Sequence, residues 1–316
     1  MRAVVITDAA LHVEERPTPA PGLGQVLVRV HAAGINAADL LQRAGFYPAP
    51  PGSPSDIPGL ELMGVVEQLG DAVDEHWRGA RVCAIVGGGA QATHVVVPVS
   101  HLLNVPDHVH DPHAGGFAEA FSTAYDALIT QARVSAGDRV LISGAPGGVG
   151  TAAVQIARSR GAHVTAVVRQ RLHVDALHDL GASEVITIDQ LTDAGTFDVV
   201  LELIGAVHLE VAQHHLAPFA RVVVLGVGGG ATAQLDLRRV MTTRATFTGS
   251  TLRARTNAQK TELASLMRAE ILPLWRSGTL HVPLAARFNL DDVAEAYDFF
   301  ARPGKFGKVV LTMPDS

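Results

Sequence analysis

The stretch Arg139-Val-Leu-Ile-Ser-Gly-Ala-Pro-Gly-Gly-Val-Gly-Thr-Ala-Ala-Val-Gln-Ile-Ala157 constrains the fold of this chain more than any other. Val140 to Ile142 read as a short buried parallel strand. A glycine-rich turn follows, and an Ala-rich amphipathic segment carrying Val154 and Ile156 reads as a helix. A pyrophosphate-binding turn needs that order. Glycines let the backbone bend sharply and approach phosphate oxygens, and the helix N-terminus offers free N–H groups and a positive dipole end. The glycines fall at Gly144-x-x-Gly147-x-x-Gly150. Spacing alone is a weak signal, but strand, turn and helix together in one βαβ unit make it strong.

Two rhythms divide the sequence. Up to about residue 100, short strands (Val26 to Val30, Met63 to Gln68, Arg81 to Val86, His94 to Val97) alternate with Gly- and Pro-rich turns, including Pro48-Ala-Pro-Pro-Gly-Ser-Pro54. That pattern predicts a mostly β domain with a loop-rich edge. From about residue 117 helices and strands alternate. Helix Ala118 to Thr130 precedes the strand at Val140, and helix Thr151 to Arg160 leads to strand His163 to Val168. Helix His173 to Leu180 leads to strand Glu184 to Ile188, with further strands at Asp198 to Glu202 and Arg221 to Gly226. The alternation predicts a doubly wound parallel sheet. A closing strand Ala286 to Asn289, helix Asp291 to Ala301 and strand Lys308 to Leu311 are expected to return to the first domain.

Composition narrows the function classes. The 316 residues suffice for two domains with substantial cores, and 47% hydrophobic with 18% charged residues fits a globular chain. A net charge of −6 disfavours a general nucleic-acid or membrane-surface binder. The single cysteine, Cys83, excludes an internal disulfide framework. Charges at Asp8, Glu14 and Glu15 come too early for a signal peptide, and no apolar run reaches the ~18 residues of a membrane span. The expected location is cytoplasmic.

An adenosine ribose is usually held by an Asp or Glu about 20 residues past such a glycine loop, whereas arginine accommodates the extra phosphate of NADP. Here the strand His163 to Val168 ends without an acid, and Arg169-Gln170-Arg171 follows with His173 close behind. Guanidinium forks suit phosphate oxygens. The reading is NADPH.

Further motifs carry a family resemblance: Gly34-Ile-Asn36-Ala-Ala-Asp39, Arg43-Ala-Gly45-Phe-Tyr47, Pro58-Gly-Leu-Glu61, Gly88-Gly-Ala-Gln-Ala92, Ser122-Thr-Ala-Tyr125 and Gly307-Lys-Val-Val-Leu311. With Ala145 to Gly150, their order resembles the zinc-free medium-chain dehydrogenases/reductases, specifically the zeta-crystallin-like quinone oxidoreductases. Gly249-Ser-Thr-Leu-Arg-Ala-Arg255 resembles the branch containing the tumour-suppressor-induced quinone oxidoreductase. The resemblance covers essentially the whole chain. It implies an α/β protein: a GroES-like mostly β catalytic domain (1–116 and 285–316), a Rossmann doubly wound parallel-sheet cofactor domain (117–284), and a cofactor cleft between them.

The resemblance also implies roles. Asn36 and Tyr47 would border the nicotinamide and the substrate, with Thr123 near the carboxamide. Ala145, Pro146, Gly147, Gly148, Val149 and Gly150 would hold the pyrophosphate, and Arg169, Gln170, Arg171 and His173 the 2′-phosphate. Gly226, Ser250, Leu252 and Lys308 would complete the cofactor site. Relatives commonly show Gly-Ser-x-x-Lys where Arg169, Gln170 and His173 stand, and a Tyr where Ile188 stands, so the phosphate site is rebuilt around arginine. Asn36 could instead cap the helix after it, and Tyr47 could be ordinary packing. Glu61 and Glu119 read as paired structural carboxylates.

No metal site is expected. Zinc-dependent relatives place a Cys near position 34 and a His near position 61, where this chain has Ile35, Asn36 and Leu60. The histidines 101, 108, 110 and 113 fit no common zinc spacing and read as solvated loop residues. The presumed pocket walls, Ile35, Leu40, Phe46, Tyr47 and Leu252, suit a flat apolar quinone, with an enone or alkenal as the alternative acceptor. A non-catalytic NADPH-binding protein is the reading from another class. Arg253 and Arg255 could act as rim cations that select an acidic substituent on the substrate, but the cofactor or a dimer is the preferred assignment for both. A homodimer through the cofactor domain, near Arg239 to Leu252, is expected.

Overall fold

Each apolar run of the βα alternation becomes a strand of one parallel sheet in the computed structural model, which describes Met1–Pro314. The spatial order is Glu184–Thr187, His163–Val168, Arg139–Ile142, Phe197–Glu202, Leu216–Val224, Thr246–Gly249. All neighbours run parallel. That is the doubly wound order, with the direction of winding reversing between Arg139–Ile142 and Phe197–Glu202. Leu141, Val200, Val222 and Phe197 are fully buried beneath the helices. The helix expected over 118–130 is regular only over Ala118–Tyr125 and continues as a wider π-type turn over Asp126–Gln131.

The other unit is built mainly on antiparallel pairing, with Leu284–Asn289 and Lys308–Thr312 running parallel to each other. Its seven-stranded sheet runs Leu284–Asn289, Lys308–Thr312, Gln25–Ile35, Glu61–Leu69, Arg81–Ile85, Leu103–Asn104, and His94–Pro98 also pairs with Gln25–Ile35. The eleven-residue strand Gln25–Ile35 is the centre, pairing with three neighbours. The closing strand Lys308–Thr312 pairs antiparallel with it, so the chain's end does return to the first domain. Among the described residues no helix is long and apolar enough to cross a membrane.

The two compact units are Met1–Ser122 with the chain from Leu252 onward, and Thr123–Thr251. The expected boundaries at 116/117 and 284/285 differ from this division over 117–122 and 252–284. The carbonyls that Arg253 and Arg268 reach in residues 47–102 explain the difference over 252–284. Trp275 is buried and stacks on Phe117 at 3.6 Å between ring centroids, and Arg268 donates to the carbonyls of Ser100 and Leu102. These contacts hold 252–284 to the mostly β unit.

Candidate active site and cofactor-binding turn

In the parallel-sheet unit, the strand Arg139–Ile142 delivers the chain into Gly144, whose φ of +61° suits glycine. The helix Gly148–Ser159 then begins, and no side chain caps its start. A Cβ on Gly150 would lie 2.5 Å from Gly144 O and 2.6 Å from Ala145 O, so only glycine lets helix and turn pack this closely. A Cβ on Gly226 would meet Leu203 O at 2.1 Å, and this glycine lets the end of the next strand approach. First-turn N–H groups without side-chain caps are what a pyrophosphate accepts from. These residues fit a dinucleotide.

Behind the turn lies a buried acid. Glu202 Oε1 accepts from Ser143 Oγ at 2.8 Å, Ile204 N at 2.7 Å and Gly205 N at 2.8 Å, while Oε2 is bonded to His208 Nδ1. Burial pushes the Glu202 carboxyl up, but these bonds outweigh it and hold it below the ordinary glutamate value. The network fixes the backbone at the C-terminal edge of the sheet, where ligands of such sheets bind. After strand His163–Val168 come Arg169, Gln170 and Arg171, all exposed, with His173 at the start of helix Val174–Asp179. Arg171 Nη1 donates to Gln190 Oε1 at 3.4 Å.

In the mostly β unit a buried polar chain forms around Asn36. The Asp39 carboxylate accepts from Asn36 N at 2.8 Å and from Gly59 N at 3.0 Å. Burial outweighs those bonds and raises Asp39 to about 6. Asn36 Nδ2 donates to Glu61 Oε1 at 3.1 Å and to Gly34 O at 3.4 Å. Lys308 Nζ reaches Asn36 Oδ1 at 2.6 Å, Glu61 Oε1 at 2.6 Å and Ile35 O at 3.1 Å. Gly34 is required for this: a Cβ there would sit 2.3 Å from Glu61 Oε1.

A second knot is tied by Arg253, which is buried. It donates to Gln42 Oε1 at 2.6 Å, Tyr47 O at 2.7 Å and Gly87 O at 2.8 Å. Its guanidinium also lies 5.0 Å from the Tyr47 ring centroid. One side chain thus pins the Tyr47 loop to two other segments.

Two known domain families match the chain. Residues 22–107 match the family described as "Alcohol dehydrogenase GroES-like domain", and residues 148–268 match "Zinc-binding dehydrogenase". The quinone oxidoreductase of Lama guanicoe is 30% identical over 93% of this chain and 91% of its own length. The chain belongs to the medium-chain dehydrogenase/reductase superfamily. It carries the two-domain fold of that superfamily's NAD(P)-dependent oxidoreductases. One polypeptide of the phenolphthiocerol/phthiocerol polyketide synthase of Mycobacterium tuberculosis is 34% identical over 96% of this chain, which spans 14% of that polypeptide. A mycobacterial protein solved as its complex with NADPH superimposes with a TM-score of 0.87 at 26% identity, over 99% of this chain and 100% of that one.

Within this superfamily fold, several sequence expectations shift. Lys308, assigned to the cofactor, has three donors and all three point at protein oxygens, so it holds Asn36 and Glu61 instead. Ser250 Oγ donates to Asp126 Oδ2 at 2.8 Å and orders the sheet edge. Asn36 does precede the helix Ala37–Arg43, but its side-chain amide is turned to Glu61 and Lys308. Glu61 is the paired structural carboxylate expected. Among the pocket walls, Ile35 is fully buried in the core and Phe46 is 80% exposed, so neither is a wall, while Leu252 is buried in the mostly β unit. Thr123 is half-buried on helix Ala118–Tyr125.

Arg253 ties down the Tyr47 loop, which differs from the cofactor or dimer role assigned to it. His101 is not solvated: it is buried and bonded to Asn257 O at 3.1 Å. Arg253, Gln42 and Lys260 were the residues sequence reasoning missed or misassigned. A buried arginine gives no local signal, since its partners lie 166 to 211 positions away.

Proposed function

We propose that this chain is an NADPH-dependent, zinc-independent quinone oxidoreductase. The observation that carries the cofactor reading is the strand end at Val168, which lacks an acid and is followed by two exposed arginines. A 2′-phosphate is attracted there, and no carboxylate stands at the strand end to select a bare ribose hydroxyl. The capless turn Gly144–Gly150 holds the pyrophosphate. The named quinone oxidoreductase relative and the NADPH-bound structural neighbour support the same reading.

Zinc independence is supported by donor chemistry. Ile35, Asn36 and Leu60 supply no thiolate or imidazole, and burial pushes the Cys83 thiol far up, away from the thiolate form a metal needs.

When bound, the nicotinamide supplies the hydride. Around it the protein's work is orientation and exclusion of water. Tyr47, half-buried and held from both its carbonyl and its ring by Arg253, forms a fixed aromatic wall for a planar acceptor. Asn36 offers the acceptor carbonyl the hydrogen it now spends on its longest contact, Gly34 O at 3.4 Å, while Lys308 and Glu61 hold the amide in place.

The decisive experiment is a screen of NADPH oxidation over ortho- and para-quinones, enones and alkenals. Efficient quinone turnover, with a raised KM for quinones in Tyr47→Ala and unaltered NADPH binding measured directly, is the expected result. The 34% identity to the polyketide synthase polypeptide, above the 30% to the quinone oxidoreductase, keeps the quinone name from deciding the acceptor. The second reading is reduction of an activated C=C bond in an enone or alkenal, which uses the same hydride from the nicotinamide. Turnover of enones with quinones untouched would install it.

The cofactor unit is proposed to pair in a homodimer. Helix Leu237–Thr243 exposes Leu237 (75%) and Met241 (70%) beside the open edge strand Thr246–Gly249. Apolar side chains displayed next to an unpaired edge favour burial against a copy.

A further inference from the structure

The strands Arg139–Ile142, Phe197–Glu202 and Leu216–Val224 lie side by side, and the winding of the sheet reverses between the first two. Dinucleotides lie outside the carboxyl ends of the strands at such a point. Three segments leave the sheet there: Ser143–Gly144, Leu203–Gly205 and Leu225–Gly230. One residue holds all three. The side chain of Glu202 takes Ser143 Oγ, Ile204 N and Gly205 N on one oxygen, and its backbone carbonyl accepts from Leu225 N at 2.8 Å and Gly226 N at 3.2 Å. Ser143 Oγ accepts in return from Leu203 N at 2.7 Å.

Beyond this knot, Ile204 O accepts from Gly229 N at 2.6 Å and Gly230 O from Ala206 N at 3.0 Å, so the corner after Glu202 carries the glycine loop 226–230 with it. A Cβ on Gly144 would lie 3.5 Å from side-chain atoms of both Leu203 and Ile204, which sets the same corner against the pyrophosphate turn.

The other oxygen of Glu202 is bonded to His208 Nδ1, on the helix Ala206–Ala212. His208 is buried, and its Nε2 has no hydrogen-bond partner among the described residues. An imidazole buried with one nitrogen unsatisfied costs stability that an apolar side chain in the same place would not. A buried ionic pair adds little stability over apolar packing either. Packing therefore does not account for a histidine here, and its one polar contact, to Glu202, does. A residue kept against the local rule points to function.

We propose that Glu202 and His208 are positioning residues for the dinucleotide: His208 fixes the Glu202 carboxylate, and the carboxylate fixes the pyrophosphate turn and the 226–230 loop relative to each other. Both act through the backbone they hold. The proposal rests on the dinucleotide reading of the turn and is independent of the choice between NADPH and NADH and of the acceptor.

Fluorescence titration with NADPH and with NADH tests it. His208→Leu, which removes the bond, is expected to weaken both nucleotides tenfold or more and by the same factor within threefold, because the turn serves the part they share. His208→Gln, whose amide can still donate to Glu202, is expected to stay within threefold of the native protein. His208→Leu added to Glu202→Gln is expected to cost no more than Glu202→Gln alone, since the histidine acts through the acid. Thermal melts identify the variants that are folded at the assay temperature. Should His208→Leu not fold, Ser143→Ala takes one hydroxyl out of the same knot and is expected to weaken both nucleotides at least threefold. Native affinity in the folded variants, with only the melting temperature lowered, would mean a purely structural role and overturns the proposal, as do losses that multiply in the double variant. A native protein that binds neither nucleotide would reject the dinucleotide reading itself.

Discussion

Lys308 donates to the amide oxygen of Asn36 at 2.6 Å, joining residues 272 positions apart in the chain. The same ammonium lies 2.6 Å from Glu61, and both members of that ion pair are almost wholly buried. The pair therefore fixes the side chain proposed to meet the acceptor, and couples its orientation to the pairing of the last strand with the central one.

Lys308→Met should destabilise the protein by about 3–5 kcal/mol, because it leaves the Glu61 carboxylate buried without its counter-charge. Glu61→Gln combined with Lys308→Met should lose less than the single variant, since no ion is stranded. Urea unfolding of the three proteins is the measurement. A single variant as stable as the native protein would show that the ion pair does not hold this part of the fold together.

Arg169→Ala should weaken NADPH binding at least tenfold and leave NADH binding nearly unaltered. One charge-assisted hydrogen bond contributes about 1.5–3 kcal/mol, which is enough for that ratio. Fluorescence titration with each cofactor decides it. Equal native affinity for both cofactors would remove the NADPH assignment.

Asp39 predicts a particular pH dependence. In the folded chain burial keeps its proton on up to about 6, whereas the ordinary value is 3.8. Between those values the folded state binds the extra proton, so its contribution to stability falls as pH rises through the window and is fully lost above it. The gap corresponds to about 3 kcal/mol. Asparagine at 39 cannot titrate, so between pH 4 and pH 7 the native protein should lose about that much relative to Asp39→Asn. Urea midpoints at pH 4, 5.5 and 7 measure it. A constant difference would mean that the folded carboxylate is already ionised at pH 4.

Leu237→Glu with Met241→Glu should give a monomer, and the native chain a dimer, in light scattering at micromolar concentration. Both side chains are mostly exposed, so the folded unit should retain its melting temperature. A native monomer would end the dimer proposal.

Elements set by local pattern were legible in the sequence. The strand–turn–helix over 139–159, the βα alternation and the strand–helix–strand pattern of the tail follow from short-range periodicity and from where glycine is sterically required. Glu61 as a paired carboxylate was legible for a different reason: a buried acid needs a partner, even when the partner cannot be named. Lys308 was that partner, yet its motif alone suggested a cofactor ligand. His101 likewise sits in a histidine-rich loop that looks solvated, and only the carbonyl of Asn257, 156 positions away, explains its burial.

The sequence by itself determined the two rhythms, the glycine turn and the arginines that follow the second parallel strand, because each is a relation among residues within about 30 positions. Tertiary structure decided which residues answer each other across the chain. It placed Arg268 on the carbonyls of Ser100 and Leu102 and so drew 252–284 to the mostly β unit. It turned the Asn36 amide toward Glu61 and Lys308, and it spent Arg253 on the Tyr47 loop. A charged side chain buried in folding must find its counter-groups wherever the packed chain brings them, and that choice has no local signature.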